Sequence, residues 1–221
     1  MSFIVAIDGP AGTGKSTISR LVANSLGLIL IDTGAMYRSV AYEMIKKSIS
    51  LDNDKAILEL LNNFNIEFKN TENGQEVYLN GENVTKEIRL KQVNDYVSPV
   101  STIKEIRYKM VEIQRKLVEK NKVVMEGRDI GTYVFPNADV KIYLDASIEA
   151  RAKRRFDENV LKGINMTYEE VINNIASRDK SDSEREVGAL KIATDAIIID
   201  TSNLTLEEVK QKIEEIIKEK L

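Results

Sequence analysis

The residues best equipped for chemistry lie close to the start of the chain, in the run Gly9-Pro10-Ala11-Gly12-Thr13-Gly14-Lys15-Ser16-Thr17. Their spacing is G-x-x-x-x-G-K-[ST]. Glycines at these places allow a tight turn whose N–H groups point at phosphate oxygens. Lys15 supplies a mobile positive charge for β- and γ-phosphates, and Ser16 a hydroxyl for Mg²⁺. The apolar run Phe3-Ile-Val-Ala-Ile-Asp8 leads in as a strand, and a helical pattern leads out. The helix N-terminus adds positive potential at the anion. That strand–loop–helix context favours a phosphate loop over a plain glycine-rich turn.

Three further stretches carry charge in patterns that suit anions. Glu126-Gly127-Arg128-Asp129 closes an apolar run, at the strand end where open α/β sheets place ligand groups. A carboxylate there can hold Mg²⁺, directly or through water, and Arg128 can fork onto a phosphate. The alternative is a strand-end turn with a surface ion pair. Arg151, Arg154 and Arg155 share one helix face by their spacing. Such a cluster repels itself unless it meets anions such as polyphosphate or is balanced by Asp157 and Glu158. Arg178 and Arg185 bracket Asp179, Asp182 and Glu184, and Arg38 opens a helix; for these a solvated surface is the plain alternative.

The elements that must position these groups follow from periodicity. Ile18, Leu21, Val22 and Leu26 mark helix 1, with Gly27 as its C-cap. Leu28–Ile31 reads as the second strand, and Asp32-Thr-Gly-Ala-Met-Tyr-Arg38 opens a helix to about Lys47. Ile57, Leu60 and Leu61 share one face of the next helix. Between about 65 and 85 alternation replaces helical spacing, with turn signals at Asn73-Gly74 and Asn80-Gly81, so a small antiparallel β insert is expected. Residues 86–121 are helical again, with a break near Ser98-Pro99. Lys122–Glu126, Val140–Asp145 and Ala196–Asp200 are strands. Ser147, Thr167 with Glu170, and Thr205 with Glu208 cap the helices that follow. Five β runs separated by helices predict a doubly wound α/β fold of the P-loop NTPase class: a five-stranded parallel sheet with helices on both faces, the β insert and a lid.

Composition narrows the chemistry. The chain has 221 residues, 43% of them hydrophobic, with net charge −3. No basic excess points to nucleic acid. There is no cysteine and no histidine, which excludes disulfides, thiol catalysis, zinc–thiolate sites and a Ser-His-Asp triad. No apolar run approaches the roughly 18 residues of a membrane span, and the first strand begins at residue 3, so a cytoplasmic protein without a leader is expected.

Taken in order, Gly9–Thr17, Asp32–Arg38, Gly127-Arg-Asp-Ile-Gly-Thr132, Val140–Ala146 and the Arg178…Asp182…Arg185 spacing resemble the bacterial cytidylate kinases, from about residue 3 to the C-terminus. The resemblance implies transfer of the γ-phosphoryl group of ATP to CMP or dCMP, with Mg²⁺, by a monomer. It implies a core (1–33, 101–150 and 190–221), a monophosphate-binding region (34–100) and a lid with flanking helices (151–189). The ATP loop is then Gly9, Pro10, Ala11, Gly12, Thr13, Gly14, Lys15, Ser16 and Thr17. Thr33, Tyr37 and Arg38 lie against the acceptor. Arg128 and Arg178, with Arg38, bind its phosphate; Ser98, Arg107 and Asp129 read cytosine; Asp182 and Arg185 hold the ribose. Arg151, Arg154 and Arg155 face the ATP phosphates, and Ser16 and Glu126 serve the metal. Lys15, Arg128, Arg151 and Arg155 would carry catalysis. Family members often have Asp where this chain has Glu126. Two other readings stay open at this point: a P-loop kinase for UMP, dTMP or another acceptor, and a non-catalytic ATP-dependent switch. The Asn-Lys-x-Asp run with which GTPases read guanine is missing.

Overall fold

A computed structural model describes residues 2–71, 74–119, 121–161 and 163–221. Five strands, β1 (Phe3–Asp8), β2 (Ile29–Asp32), β6 (Lys122–Glu126), β7 (Val140–Asp145) and β8 (Ile197–Asp200), form one sheet in the order β2-β6-β1-β7-β8. The pairings β1–β6, β1–β7 and β7–β8 are parallel. After β1 the chain builds first on one side of it and then on the other. The carboxyl end of β1 is therefore the switch point of the sheet, where α/β folds bind ligands.

Alternate residues of these strands face the same layer. Val5 and Ile7 of β1, Val124 of β6, and Val140, Ile142 and Leu144 of β7 are buried in one cluster. Against them pack Ile18, Val22 and Ala23 of α1 (Lys15–Leu26) and Val209, Ile213 and Ile217 of α8 (Leu206–Lys218). The four-residue spacing on α8 is the apolar stripe that seats it. A second cluster joins Ala152 of α6 (Ile148–Leu161) to Val171 and Ile175 of α7 (Tyr168–Glu184). The capping boxes at Thr167/Glu170 and Thr205/Glu208 are both formed.

Contacts divide the chain into two compact units, Met1–Ile31 with Leu117–Leu221, and Asp32–Lys116. The second holds α2 (Thr33–Lys46), α3 (Asp54–Asn62), α4 (Lys91–Val100), most of α5 (Lys104–Val118) and an antiparallel sheet of β3 (Ile66–Thr71), β4 (Gly74–Leu79) and β5 (Glu82–Asn83). The expected insert is this sheet. Asn80 and Gly81 both take positive φ, as a two-residue hairpin turn requires. Asn73, of the other turn signal, lies outside the described residues.

The helix break expected near Ser98-Pro99 is present and lies just beyond those residues. α4 continues through both residues to Val100, and the chain turns at 101–103. Proline deletes the bond that an N–H at position 99 would give to the Asp95 carbonyl, and the helix ends one residue later, where side chains take up its last carbonyls. Ser101 Oγ donates to the Ser98 carbonyl (2.8 Å), and Thr102 N and Oγ1 donate to that of Pro99 (3.2 and 2.7 Å).

Candidate active site

The glycine loop runs from the end of β1 into α1. Gly9 (φ 149°), Gly12 (φ 82°) and Gly14 (φ 90°) occupy conformations that L side chains rarely adopt. At Gly9 a Cβ would also lie 2.1 Å from the Leu144 carbonyl oxygen of β7. The loop passes so close to the sheet that only glycine fits. Lys15 is buried, and its Nζ donates to the Pro10 carbonyl (2.5 Å) and Thr13 Oγ1 (3.1 Å). Its ammonium thus sits folded over the loop. Burial holds its pKa well below the ordinary lysine range, and the charge of Arg128 adds to that. Ser16, in the first turn of α1, is exposed.

β6 ends beside this loop, with Gly127 N donating to the Ile7 carbonyl (3.0 Å). Glu126 and Asp129 are buried there. Arg128 Nε donates to Asp182 Oδ2 on α7 (2.8 Å), and Arg185 lies 3.4 Å from Asp182 Oδ1. Burial alone would raise the Asp182 pKa; the guanidiniums of Arg128, Arg185 and Arg178 outweigh it and hold the carboxyl below its ordinary value. Lys15, Glu126, Arg128, Arg178 and Asp182 therefore share one electrostatic neighbourhood.

Asp8, which the sequence reading passed over, organises the segment after Arg128. Both of its carboxylate oxygens accept backbone N–H groups, from Ile130 (2.9 Å) and Gly131 (2.7 Å). Burial pushes its pKa up to about 6, against the pull of those two donors. The chain over Ile130–Val134 makes a single π-helical turn, with Val134 N and Phe135 N bonded to the Asp129 and Ile130 carbonyls. Such turns recur at functional sites. The visible signal was an acid at the end of a strand, directly before the loop.

The three arginines of α6 diverge. Arg151 is buried; its Nε donates to the Ala146 carbonyl and its Nη1 to the Ala11 carbonyl (both 3.0 Å) and to Asp179. Arg154 bonds Thr201 through its Oγ1 (3.1 Å) and its carbonyl, and Thr201 Oγ1 reaches the Thr13 carbonyl (3.4 Å). Arg155 lies outermost and pairs with Glu158 (3.3 Å).

In the second unit, Asp32 caps α2. Its Oδ1 accepts from Ala35 N (2.9 Å) and its Oδ2 from Arg38 (3.0 Å). Gly34 leaves room for that pair, since a Cβ would lie 3.1 Å from both side chains. Tyr37 and Arg107 come together, the guanidinium 5.4 Å from the ring centre. Arg107 is fully buried and donates to the Ser101 carbonyl (3.3 Å), one turn from Ser98. Thr33 is buried at the start of α2.

A metal would have a limited donor set here. Among the described residues no group of three or more Asp, Glu, His or Cys gathers as a metal cage. The exposed Ser16 hydroxyl and the Glu126 carboxylate remain. One or two oxygen donors suit Mg²⁺ bound chiefly by phosphate oxygens and water.

A parallel sheet with a glycine loop at its switch point, a lysine folded over the loop and arginines around the strand ends defines a P-loop kinase. Solved structures agree on the fold alone. Shikimate kinase from Bacteroides thetaiotaomicron aligns over 99% of both chains, with TM-score 0.50 and 14% identity. An uncharacterized protein from Eubacterium ventriosum ATCC 27560 aligns over 99% of both chains, with TM-score 0.54 and 14% identity. Sequence is more specific. The cytidylate kinase of Bacillus subtilis (strain 168) is 49% identical over 216 residues, 98% of this chain and 96% of the relative. That of Caldicellulosiruptor bescii is 49% identical over 212 residues, 96% of this chain and 94% of the relative. The family model for cytidylate kinase matches residues 5–219. The chain belongs to the cytidylate kinase family.

Proposed function

We propose that this protein transfers the γ-phosphoryl group of ATP to CMP and dCMP, giving ADP and the pyrimidine nucleoside diphosphate. The observation that carries the reading is family membership along almost the whole chain. The acceptor is a phosphate monoester, already an anion at neutral pH. No general base is required, in keeping with a chain that lacks histidine.

The protein's task is then to position and neutralise two anionic nucleotides. On the donor side the amides of the Gly9–Thr17 loop and the N-terminus of α1 receive the ATP phosphates, and Lys15 moves from its carbonyl and hydroxyl partners onto them. Arg151 and Arg154 act there through the loop and Thr201, which they bond, and Arg155 at the outer edge. On the acceptor side Arg38, Arg128 and Arg178 take the monophosphate, with Thr33 and Tyr37 beside it. Asp182 and Arg185 take the ribose. Ser98, Arg107 and Asp129 read the base: a carboxylate accepts from the cytosine amino group and a guanidinium donates to its ring acceptors. Ser16 and Glu126 would hold Mg²⁺, which neutralises phosphate charge when bound. We assign 34–100 to acceptor binding and 151–189 to a lid that excludes water. We take the enzyme as a cytoplasmic monomer.

The test is ADP release from Mg-ATP in a coupled assay with CMP, dCMP, UMP, dTMP and AMP offered in turn. CMP and dCMP far ahead of the rest is the expected result. Turnover with another nucleotide would overturn the base-reading assignments. Slow ATPase without acceptor dependence would overturn the kinase reading.

A further inference from the structure

Ala11, in the first half of the phosphate loop, has both of its backbone polar groups claimed by side chains from elsewhere. Its N–H donates to Asp179 Oδ1 (3.2 Å), and its carbonyl accepts from Arg151 Nη1 (3.0 Å). Arg151 and Asp179 are also bonded to each other. The three residues close a ring that ties the loop to α6 and α7. Arg151 further donates to the Ala146 carbonyl, and its Cβ lies 3.1 Å from the point where a Cβ on Gly12 would sit. The arginine is thus packed along the loop from Ala11 to Gly12. The first half of the loop is thus held from outside by α6 and α7, in addition to the bonds that Lys15 and Thr13 give to the Pro10 carbonyl.

The same helix carries the acceptor-side charges. Arg178 precedes Asp179, and Asp182, one turn on, is bonded to Arg128. Asp179 therefore docks on the donor loop the very turn of α7 that presents groups to the acceptor. We infer that Asp179, with Arg151, is a positioning residue that sets the donor loop in its phosphate-binding shape and couples donor to acceptor binding through α7. The coupling part rests on the kinase reading above; the donor part does not.

The experiment compares the full-length wild type with Asp179→Ala and Asp179→Asn. Calorimetry measures the Kd of a non-hydrolysable ATP analogue with Mg²⁺, with and without saturating CMP, and melting temperature is recorded alongside. Asn keeps the shape and one acceptor but turns an amide towards Arg151, so it serves if the alanine variant folds poorly. The expected result is an analogue Kd raised about 10-fold in folded protein, with the CMP-dependent gain in donor affinity reduced towards none. An analogue Kd within 2-fold of wild type in both variants overturns the proposal. So does a lowered melting temperature with donor affinity and CMP coupling intact, which is what a merely structural contact would produce. A wild type whose analogue Kd does not respond to CMP overturns the coupling part, whereas failure of CMP turnover in the coupled assay is what overturns the acceptor reading; in either case the donor Kd of the variants still decides for or against the role of Asp179 in the loop.

Discussion

Lys15 and Asp182 are both buried charges, and they bear on stability in opposite ways. Lys15 is buried and desolvated, and among the described residues the bonds of its Nζ go to neutral oxygens of its own loop. Its charge gains full value only against phosphate. Lys15→Ala should therefore lower kcat on the order of 10²-fold, while the unliganded protein melts no lower than wild type; steady-state ADP release and thermal unfolding measure the two effects. Asp182 is different, because it is already surrounded by guanidiniums. Its folded pKa is depressed, so its ionised form stabilises the fold above the unfolded value of 3.8, and that contribution disappears as pH falls through the folded value. Asp182→Asn should cost about 2 kcal/mol at pH 7 by leaving Arg128 without its partner. Urea midpoints of both proteins at pH 7 and pH 3 should show the gap closing at the lower pH; an equal gap at both would refute the account. Asp129→Asn bears on base choice. An amide presents a donor where the carboxylate accepts from cytosine, so the CMP/UMP ratio of kcat/KM should fall by about 10-fold, equivalent to roughly 1.4 kcal/mol. An unchanged ratio would remove Asp129 from the base-reading set.

At the scale of elements, the site depends on how closely the glycine loop lies on the sheet. Gly9 faces the Leu144 carbonyl of β7, a residue held in the sheet by its pairing with Ile199 of β8, so the carbonyl cannot yield without disturbing the β7–β8 ladder. Gly9→Ala should destabilise by about 3 kcal/mol or more, a fall of roughly 6–12 °C in Tm. Gly14 makes a useful control, since a Cβ there meets nothing within 4 Å and only its positive φ is penalised. Gly14→Ala should cost about 1 kcal/mol. Parallel thermal melts of the two variants separate close approach from backbone strain. The π-helical turn at Ile130–Val134 belongs to the same scale. Two backbone bonds to Asp8 tie it to the end of β1, so the acidic and basic groups of the Glu126–Asp129 segment are fixed relative to the loop.

Across the whole molecule, a net charge of −3 gives no long-range attraction for anionic nucleotides. Their capture rests on local fields from Lys15 and the arginines and, in the reading above, on Mg²⁺ brought with ATP. Among the described residues no protein cage holds such an ion without phosphate. Chelation should therefore abolish turnover while leaving the melting temperature of the unliganded protein within about 1 °C, because in that reading Mg²⁺ is held chiefly by the phosphates of ATP. Coupled assays and melts with EDTA, followed by Mg²⁺ add-back, test this directly. A large fall in melting temperature would reveal a structural ion.

What the sequence determined by itself is local. The loop spacing, helical stripes such as Val209, Ile213 and Ile217, and the two capping boxes depend on residues a few positions apart, so their physics is written in adjacent letters. Strand alternation and the Asn80-Gly81 turn were legible for the same reason. A local signal still fell a little off its mark: α4 ends not at Ser98-Pro99 but at Val100, where Ser101 and Thr102 take up its last carbonyls. Tertiary structure alone decided which distant groups meet. Asp179 reaches Ala11 across 168 residues, Asp8 reaches Gly131 across 123, and Arg107 comes to rest over Tyr37. The arginines at 151, 154 and 155 share a spacing but take three different partners. Those outcomes depend on strand order and on where each helix docks, which are set by burial summed over the whole core and leave no periodic trace in the chain.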